Sequence, residues 1–238
     1  MIDVSVVVPC HGRLAALRRA AESLLDARDY FHGGRVELLF VDDASPTPVE
    51  ATLAGLLDDP AVRTLRLPEN RGPSGARNAG IHAARGEIVL FTDDDVLVDR
   101  AWIRELAVYL RDAPHRVAGV GGRVYALGKD VFSRYYEYHR ILDPFRLDDG
   151  TILYVVTCNC AYRRAVLEEL GGFDEAIRRP GGEDPGLSFK ARAAGYELHL
   201  HEEAVVWHDF RPGLRDFART FFRYGRGCRH QVGRHWKG

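Results

Sequence analysis

Three adjacent carboxylates, Asp93-Asp94-Asp95, follow the apolar run of residues 88–91 after Thr92. Like charges this close repel, and a fold tolerates them best where a cation or solvent compensates. Hard oxygen ligands suit Mg²⁺ or Mn²⁺, which is often held by one or two carboxylates plus substrate phosphates. A solvated acidic turn that caps the next helix explains the run equally well. Asp42-Asp43-Ala44-Ser45 ends another apolar run. It suits either a turn or hydrogen bonding to a base or ribose. Residues 70–80 bring turn formers together with Arg71 and Arg77 at an expected helix start. Guanidinium groups and a helix N-terminus both favour phosphate, although a plain loop and cap has the same composition. Gly182-Glu183-Asp184 also precedes a helical stretch, and its acids are either helix caps or include a general base in a cleft.

These groups need elements to hold them. Residues 4–9 form a continuous β-branched run, the pattern of a strand buried on both faces. Helical spacing follows over 14–25, a strand over 36–41, a short helix over 49–57 and a strand over 62–67. A helix over 75–85, a strand over 87–91 and a helix over 102–110 complete the first half. Repeated βα units imply an α/β fold with a mostly parallel sheet and helices on both faces. Residues 10–12, 42–45 and 93–95 all follow strand ends, where ligands bind in open parallel sheets. Three polar clusters at three such ends describe one crevice. The second half is less regular. Residues 125–143 are rich in Tyr and Phe, 155–161 read as a strand, 163–170 and 184–194 as helices, and 197–207 as one or two strands. Without a clear linker the chain is expected to form one domain. Its halves are about 1–115 and about 116–208, followed by a basic amphipathic segment over about 209–238.

Composition narrows the choice. The 238 residues are 46% hydrophobic and 28% charged, with a net charge of -1, so no global field selects for nucleic acid or a membrane. The four cysteines, Cys10, Cys158, Cys160 and Cys228, are too scattered for a disulfide framework, and Cys158 and Cys160 lack a second ligand pair at zinc spacing. A reducing compartment follows. No basic leader and no apolar run near the roughly 20 residues of a membrane span is present, so a cytoplasmic protein is expected.

Seven motifs occur in an order that resembles one family. They are Val4-Ser5-Val6-Val7-Val8-Pro9, Val41-Asp42-Asp43-Ala44-Ser45, Asn70-Arg71-Gly72 through Arg77-Asn78-Ala79-Gly80, and Phe91-Thr92-Asp93-Asp94-Asp95. Asn159-Cys160-Ala161-Tyr162-Arg163-Arg164, Gly171-Gly172-Phe173-Asp174-Glu175 and Gly182-Glu183-Asp184 follow. Together they resemble family 2 glycosyltransferases with the GT-A fold. The resemblance implies Pro9 and Asp43 at the nucleotide base with Asp42 close by, and Arg77 near the nucleotide. It implies Asp93 and Asp94 along the ribose and diphosphate. Asp95 matches the last acid of the D-x-D motif and implies a Mn²⁺ or Mg²⁺ ligand, with His208 as an extra one. Asp184 matches the catalytic base, and Asn159 and Glu183 are expected in the sugar or acceptor pocket. Gln231, Arg234 and Trp236 resemble a Q-x-x-R-W motif, but His235 interrupts it and membrane helices are absent, which argues against a processive synthase.

The implied reaction is transfer of sugar from a nucleoside diphosphate sugar to an acceptor hydroxyl with inversion. A UDP-sugar is the first expectation, although Asp43 could also accept from guanine. A sugar nucleotidyltransferase is the alternative enzyme, but it favours a Gly-rich, Lys-containing loop where this chain has Cys10-His11-Gly12-Arg13. A binding or scaffolding module that has lost the chemistry fits poorly with Asp95 and Asp184. In the tail, Leu214, Phe217, Ala218, Phe221 and Phe222 recur at helical spacing beside Arg215, Arg219 and Arg223. The stripe suits a solvated packed helix, peripheral contact with the inner membrane face, or the phosphates of a donor or lipid-linked acceptor.

Overall fold

In successive strands, alternate side chains go to opposite sides of the sheet. Val6, Val8, Leu38 and Phe40 join one core, and Val7, Leu39 and Val41 the other. That double burial is why the runs are almost wholly apolar, and the polar pair that interrupts them, Ser5 and Glu37, is buried and hydrogen-bonded to itself at 2.7 Å. The structure is a computed structural model that describes residues 2–235, without the side chains of residues 228 and 232–235. Trp236 and Lys237 of the basic tail, and the side chains of Arg234 and Cys228, therefore lie outside the described residues.

The first half runs β1 (Val4–Cys10), α1 (Leu14–Tyr30), β2 (Val36–Asp42), α2 (Glu50–Leu53), β3 (Val62–Arg66), α3 (Gly72–Ala83) and β4 (Ile88–Phe91). It continues through β5 (Val96–Val98), α4 (Trp102–Asp112) and β6 (Val117–Ala126). Then come α5 (Val131–Tyr138), β7 (Cys160–Arg163), α6 (Arg164–Glu169), α7 (Glu183–Ala193), β8 (Glu197–His208) and α8 (Leu214–His235). One eight-stranded sheet, ordered β3-β2-β1-β4-β7-β6-β8-β5, runs through both halves. β1, β2, β3 and β4 are parallel to one another, as are β6 and β8, whereas β7 is antiparallel to both of its neighbours and β5 to β8. The α/β architecture with a mostly parallel sheet and helices on both faces is the one expected.

Four differences have physical reasons. β6 was not foreseen because Gly119, Gly121 and Gly122 dilute its apolar pattern. The backbone there is too close for side chains: a Cβ at Gly122 would fall 2.1 Å from the Ala204 carbonyl. The expected strand over 155–161 shrinks to Cys160–Arg163, because the preceding residues leave the sheet to line the cleft. α3 starts at Gly72 rather than 75, and Pro73 fits its first turn, where no N–H is needed. α2 is one turn long and stops before Gly55, whose φ of 81° no helix continues.

Candidate active-site cleft

The carboxyl ends of β1, β2 and β4, the end of β8 and the start of α7 open into one cleft of about 1630 Å³. β1 delivers Pro9 and Cys10, followed by His11 and Arg13. β2 delivers Asp43, β4 delivers Asp93, Asp94 and Asp95, β8 delivers His208, and α7 delivers Glu183 and Asp184. The crevice expected from the strand ends is thus present.

Asp43 holds the loop before α3: its two oxygens accept the N–H groups of Arg71 at 2.7 Å and Gly72 at 2.9 Å. Burial raises its carboxyl above the usual range against those two bonds. Asp94 is buried and accepts the His11 N–H at 3.1 Å, and burial pushes it up to about 6. Arg77 projects from α3 into the middle of the acids and is only 4% exposed. One amino group donates to Asp93 Oδ1 at 2.8 Å. The other lies 3.3 Å from Glu183 Oε1 and 3.8 Å from Asp184 Oδ1. A single buried cation therefore ties the β4 acids to the α7 acids.

Asp184 accepts Thr157 Oγ1–H at 2.8 Å and the Thr157 N–H at 3.2 Å. Burial, and next the Glu183 charge, push its carboxyl up to about 7, while Arg77 pulls it down. A carboxyl that exchanges its proton near neutral pH is suited to general-base work. Glu183 is more deeply buried and is occupied by Arg77 and by the Gly181 N–H at 2.6 Å.

Across the cleft, ligand atoms of Asp93, Asp95 and His208 all lie within 4.8 Å of one another. Burial pushes the His208 imidazole down to about 4, which leaves it neutral near pH 7 with a lone pair to give. Its ring stacks on Phe210 at 4.4 Å between centroids, and Phe210 stacks on Tyr136 at 4.2 Å. His208 Nδ1 is buried and meets no partner among the described residues. Two carboxylates and a neutral imidazole, whose Nε2 lies 3.8 Å from Asp95 Oδ1, make a donor set that fits Mn²⁺ or Mg²⁺. Arg13 pairs with Asp95, so part of the acidic charge is compensated from within the chain.

Two expected site residues face elsewhere. Asp42 is 1% exposed and holds the turn after β2 through the Ser45 and Val49 N–H groups and Arg66. Asn159 is fully buried. It accepts from Trp102 Nε1 at 2.8 Å and donates to the carbonyls of Arg123 and Ala204. Both side chains have their polar atoms engaged away from the cleft. Pro9, Asp43, Arg77, Asp93, Asp94, Asp95, Glu183, Asp184 and His208 all line it.

The C-terminal helix lines this cleft, which is one of the three placements its sequence pattern allowed. Gly182 has a φ of 99° and packs on Gly227 so closely that a Cβ there would meet the Gly227 backbone at 2.8 Å. Gln231, 2% exposed, donates to the Gly182 carbonyl at 2.7 Å. Phe217 and Phe221 pack on Tyr135 and Tyr136 of α5, so most of the aromatic stripe faces inward while Phe222 stays exposed. Arg215 and Arg219 are exposed, and Arg219 and the less exposed Arg223 line the cleft. Thr157, Arg13 and Tyr224 also line the cleft. Of the cleft residues on α8, Gln231 carried a sequence signal through the interrupted motif and Arg223 through the basic stripe. Among the described residues no helix is long and apolar enough to cross a membrane.

Comparison with known proteins fits this geometry. Residues 5–171 match the sequence profile of glycosyl transferase family 2. The pre-mycofactocin glycosyltransferase of Mycobacterium tuberculosis is 34% identical over 232 residues, covering 94% of this chain and 46% of that protein. The succinoglycan biosynthesis protein ExoO of Rhizobium meliloti is 32% identical over 230 residues, covering 89% of this chain and 62% of that protein. The chain thus spans about half to three-fifths of these relatives' length. Among solved structures, the mannosyltransferase PcManGT of Pyrobaculum calidifontis, in complex with GDP-Man and Mn²⁺, superposes with a TM-score of 0.74 at 20% identity. The match covers all of this chain and 67% of that one. S. aureus TarS in complex with UDP-GlcNAc gives 0.69 at 20% identity, over 90% of this chain and 60% of that one.

Proposed function

The chain belongs to glycosyl transferase family 2, and from that premise we propose that it transfers a sugar from a nucleoside diphosphate sugar to an acceptor hydroxyl, with inversion. The observation that carries the reading is the pairing across one cleft of Asp184 with the Asp93, Asp95 and His208 group. Structural neighbours that hold GDP-Man or UDP-GlcNAc support a nucleotide-sugar donor, and a UDP-sugar is our first choice. Residues 1–115 would serve chiefly the donor and residues 116–208 chiefly the acceptor.

Pro9 and Asp43 stand where the base would lie, beside the start of α3. Asp93, Asp95 and His208 would hold Mn²⁺ or Mg²⁺. When bound, such a cation offsets the charge that develops on the leaving diphosphate. Asp94 sits between these ligands and the β1 loop and fixes the His11 backbone. Asp184 takes the proton of the acceptor hydroxyl as the new C–O bond forms at the anomeric carbon and the bond to the diphosphate breaks. Thr157 orients that carboxylate, and Arg77 keeps it from protonating too readily. Gly181 and Gly182 pack closely on the backbone of α8 beside Asp184 and so seat that helix at the edge of the site.

The test is a panel of nucleoside diphosphate sugars with Mn²⁺, reading nucleoside diphosphate release. One donor class should be turned over, and excess EDTA should stop it. A folded full-length protein that turns over no member of the panel would contradict the reading.

A further inference from the structure

Arg223 is a cation that the mechanism above does not use. It lies on α8, one turn before Gly227 meets Gly182, and lines the same cleft as Asp184. One of its amino groups donates to Thr220 Oγ1 at 3.0 Å. Thr220 is in turn hydrogen-bonded to the buried Tyr136, so the guanidinium is held in place. Its Nε–H is buried and meets no acceptor, and the side chain forms no ion pair among the described residues. A buried donor without a partner is unfavourable, and a guanidinium offers a planar fork that matches an oxyanion.

The surroundings add a second feature. Arg219, one turn earlier, also lines the cleft, is exposed and has no acidic partner among the described residues. Phe222, beside Arg223 on α8, also lines the cleft and is 74% exposed. Cations beside an open aromatic surface suit a ligand with an anionic head and an apolar body. We propose that this wall is an acceptor subsite for a phosphate that joins an apolar chain to the group bearing the acceptor hydroxyl, with Arg223 and Arg219 on the phosphate and Phe222 on the chain. The assignment rests on the transferase reading, because it puts the acceptor in reach of Asp184.

The test is titration calorimetry of the full chain with two probes: dodecyl phosphate below its micelle-forming concentration, and inorganic phosphate. Dodecyl phosphate should bind saturably. Arg223→Gln should weaken it about tenfold or more, the range for a lost charge-assisted hydrogen bond. Arg223→Lys should fall between, since it keeps charge but not the fork. Phe222→Ala should weaken dodecyl phosphate and leave inorganic phosphate unchanged. Arg219→Gln alters an exposed side chain and so keeps the test open should the Arg223 variants fold poorly. No binding by the parent, or equal affinity in the parent, Arg223→Gln and Arg219→Gln, would overturn the subsite. UDP with Mn²⁺, titrated in the same way, separates the two readings. UDP binding without arginine-dependent dodecyl phosphate binding removes the subsite alone, whereas absent UDP binding counts against the donor reading.

Discussion

Replacing Arg77 with Met should unbalance the whole site. Methionine keeps much of the aliphatic stem, so the loss reports the charge. Arg77 is 4% exposed, so its ion pairs need little discount for solvent screening. At an effective dielectric of about 20, each carboxylate at these distances attracts it by roughly 4 kcal/mol before desolvation is counted. Breaking a buried pair from one side has a net effect of about 3–5 kcal/mol. Asp93 and Asp184 retain some water contact, at 26% and 21% exposure, which favours the lower end. A loss of about 3 kcal/mol is a large part of the roughly 5–15 kcal/mol typical of a folded domain. The pH dependence has a definite sign. Asp184 already titrates near 7 in the fold, and Arg77 pulls that value down, so the variant's value is higher. A carboxyl raised in the fold binds more protons there than in the unfolded chain. Its favourable contribution is complete below the unfolded value of about 4 and is lost as pH rises through the folded one. The variant's deficit should therefore grow from pH 5 to pH 8. Urea denaturation at the two pH values measures it. A deficit below about 1 kcal/mol at pH 8, or one that is equal at both pH values, would refute the argument.

Other outcomes follow from the same geometry. Asp95→Ala should weaken Mn²⁺ binding, read from the free-ion signal in electron paramagnetic resonance, and should abolish cation-dependent donor turnover. Asn159→Ala should fold less stably by about 3 kcal/mol or more, because it orphans the Trp102 indole N–H and two carbonyls in the core; denaturant melts test this. Turnover should rise with pH through about 7 as Asp184 loses its proton, and Glu183→Gln should move that limb to lower pH, since Glu183 is the second cause of the shift after burial. Proton NMR of the released sugar should show the inverted anomer first.

The first half of the fold was legible because its strands are buried on both faces and so are written mostly in Val, Leu, Ile and Phe. Their ends carried the acids, which is why Asp43, Asp93, Asp94 and Asp95 could be assigned to one crevice. Asp42 and Asn159 misled for a common reason. Sequence shows residue type, not direction: one residue beyond Asp42 the side chain points into the cleft, and Asn159 spends all three hydrogen bonds in the core. β6 was hidden because its glycines answer to close neighbouring backbones rather than to a periodic pattern. The seating of α8 against the start of α7 was invisible because it is made by Gly227 and Gln231, residues that carry no periodic signal. The arginines of α8 looked alike in sequence, and only packing separates exposed Arg215 from the less exposed Arg223.

The most direct measurement compares donor binding with turnover in Asp184→Asn. The carboxamide preserves the shape beside Thr157 but cannot accept the acceptor's proton. With Mn²⁺ present, the variant should bind the nucleotide sugar with the parent's affinity and release nucleoside diphosphate about 10²–10⁴-fold more slowly. Release at the parent's rate by a variant that binds donor normally would show that Asp184 only caps α7, and the proposed mechanism would fall.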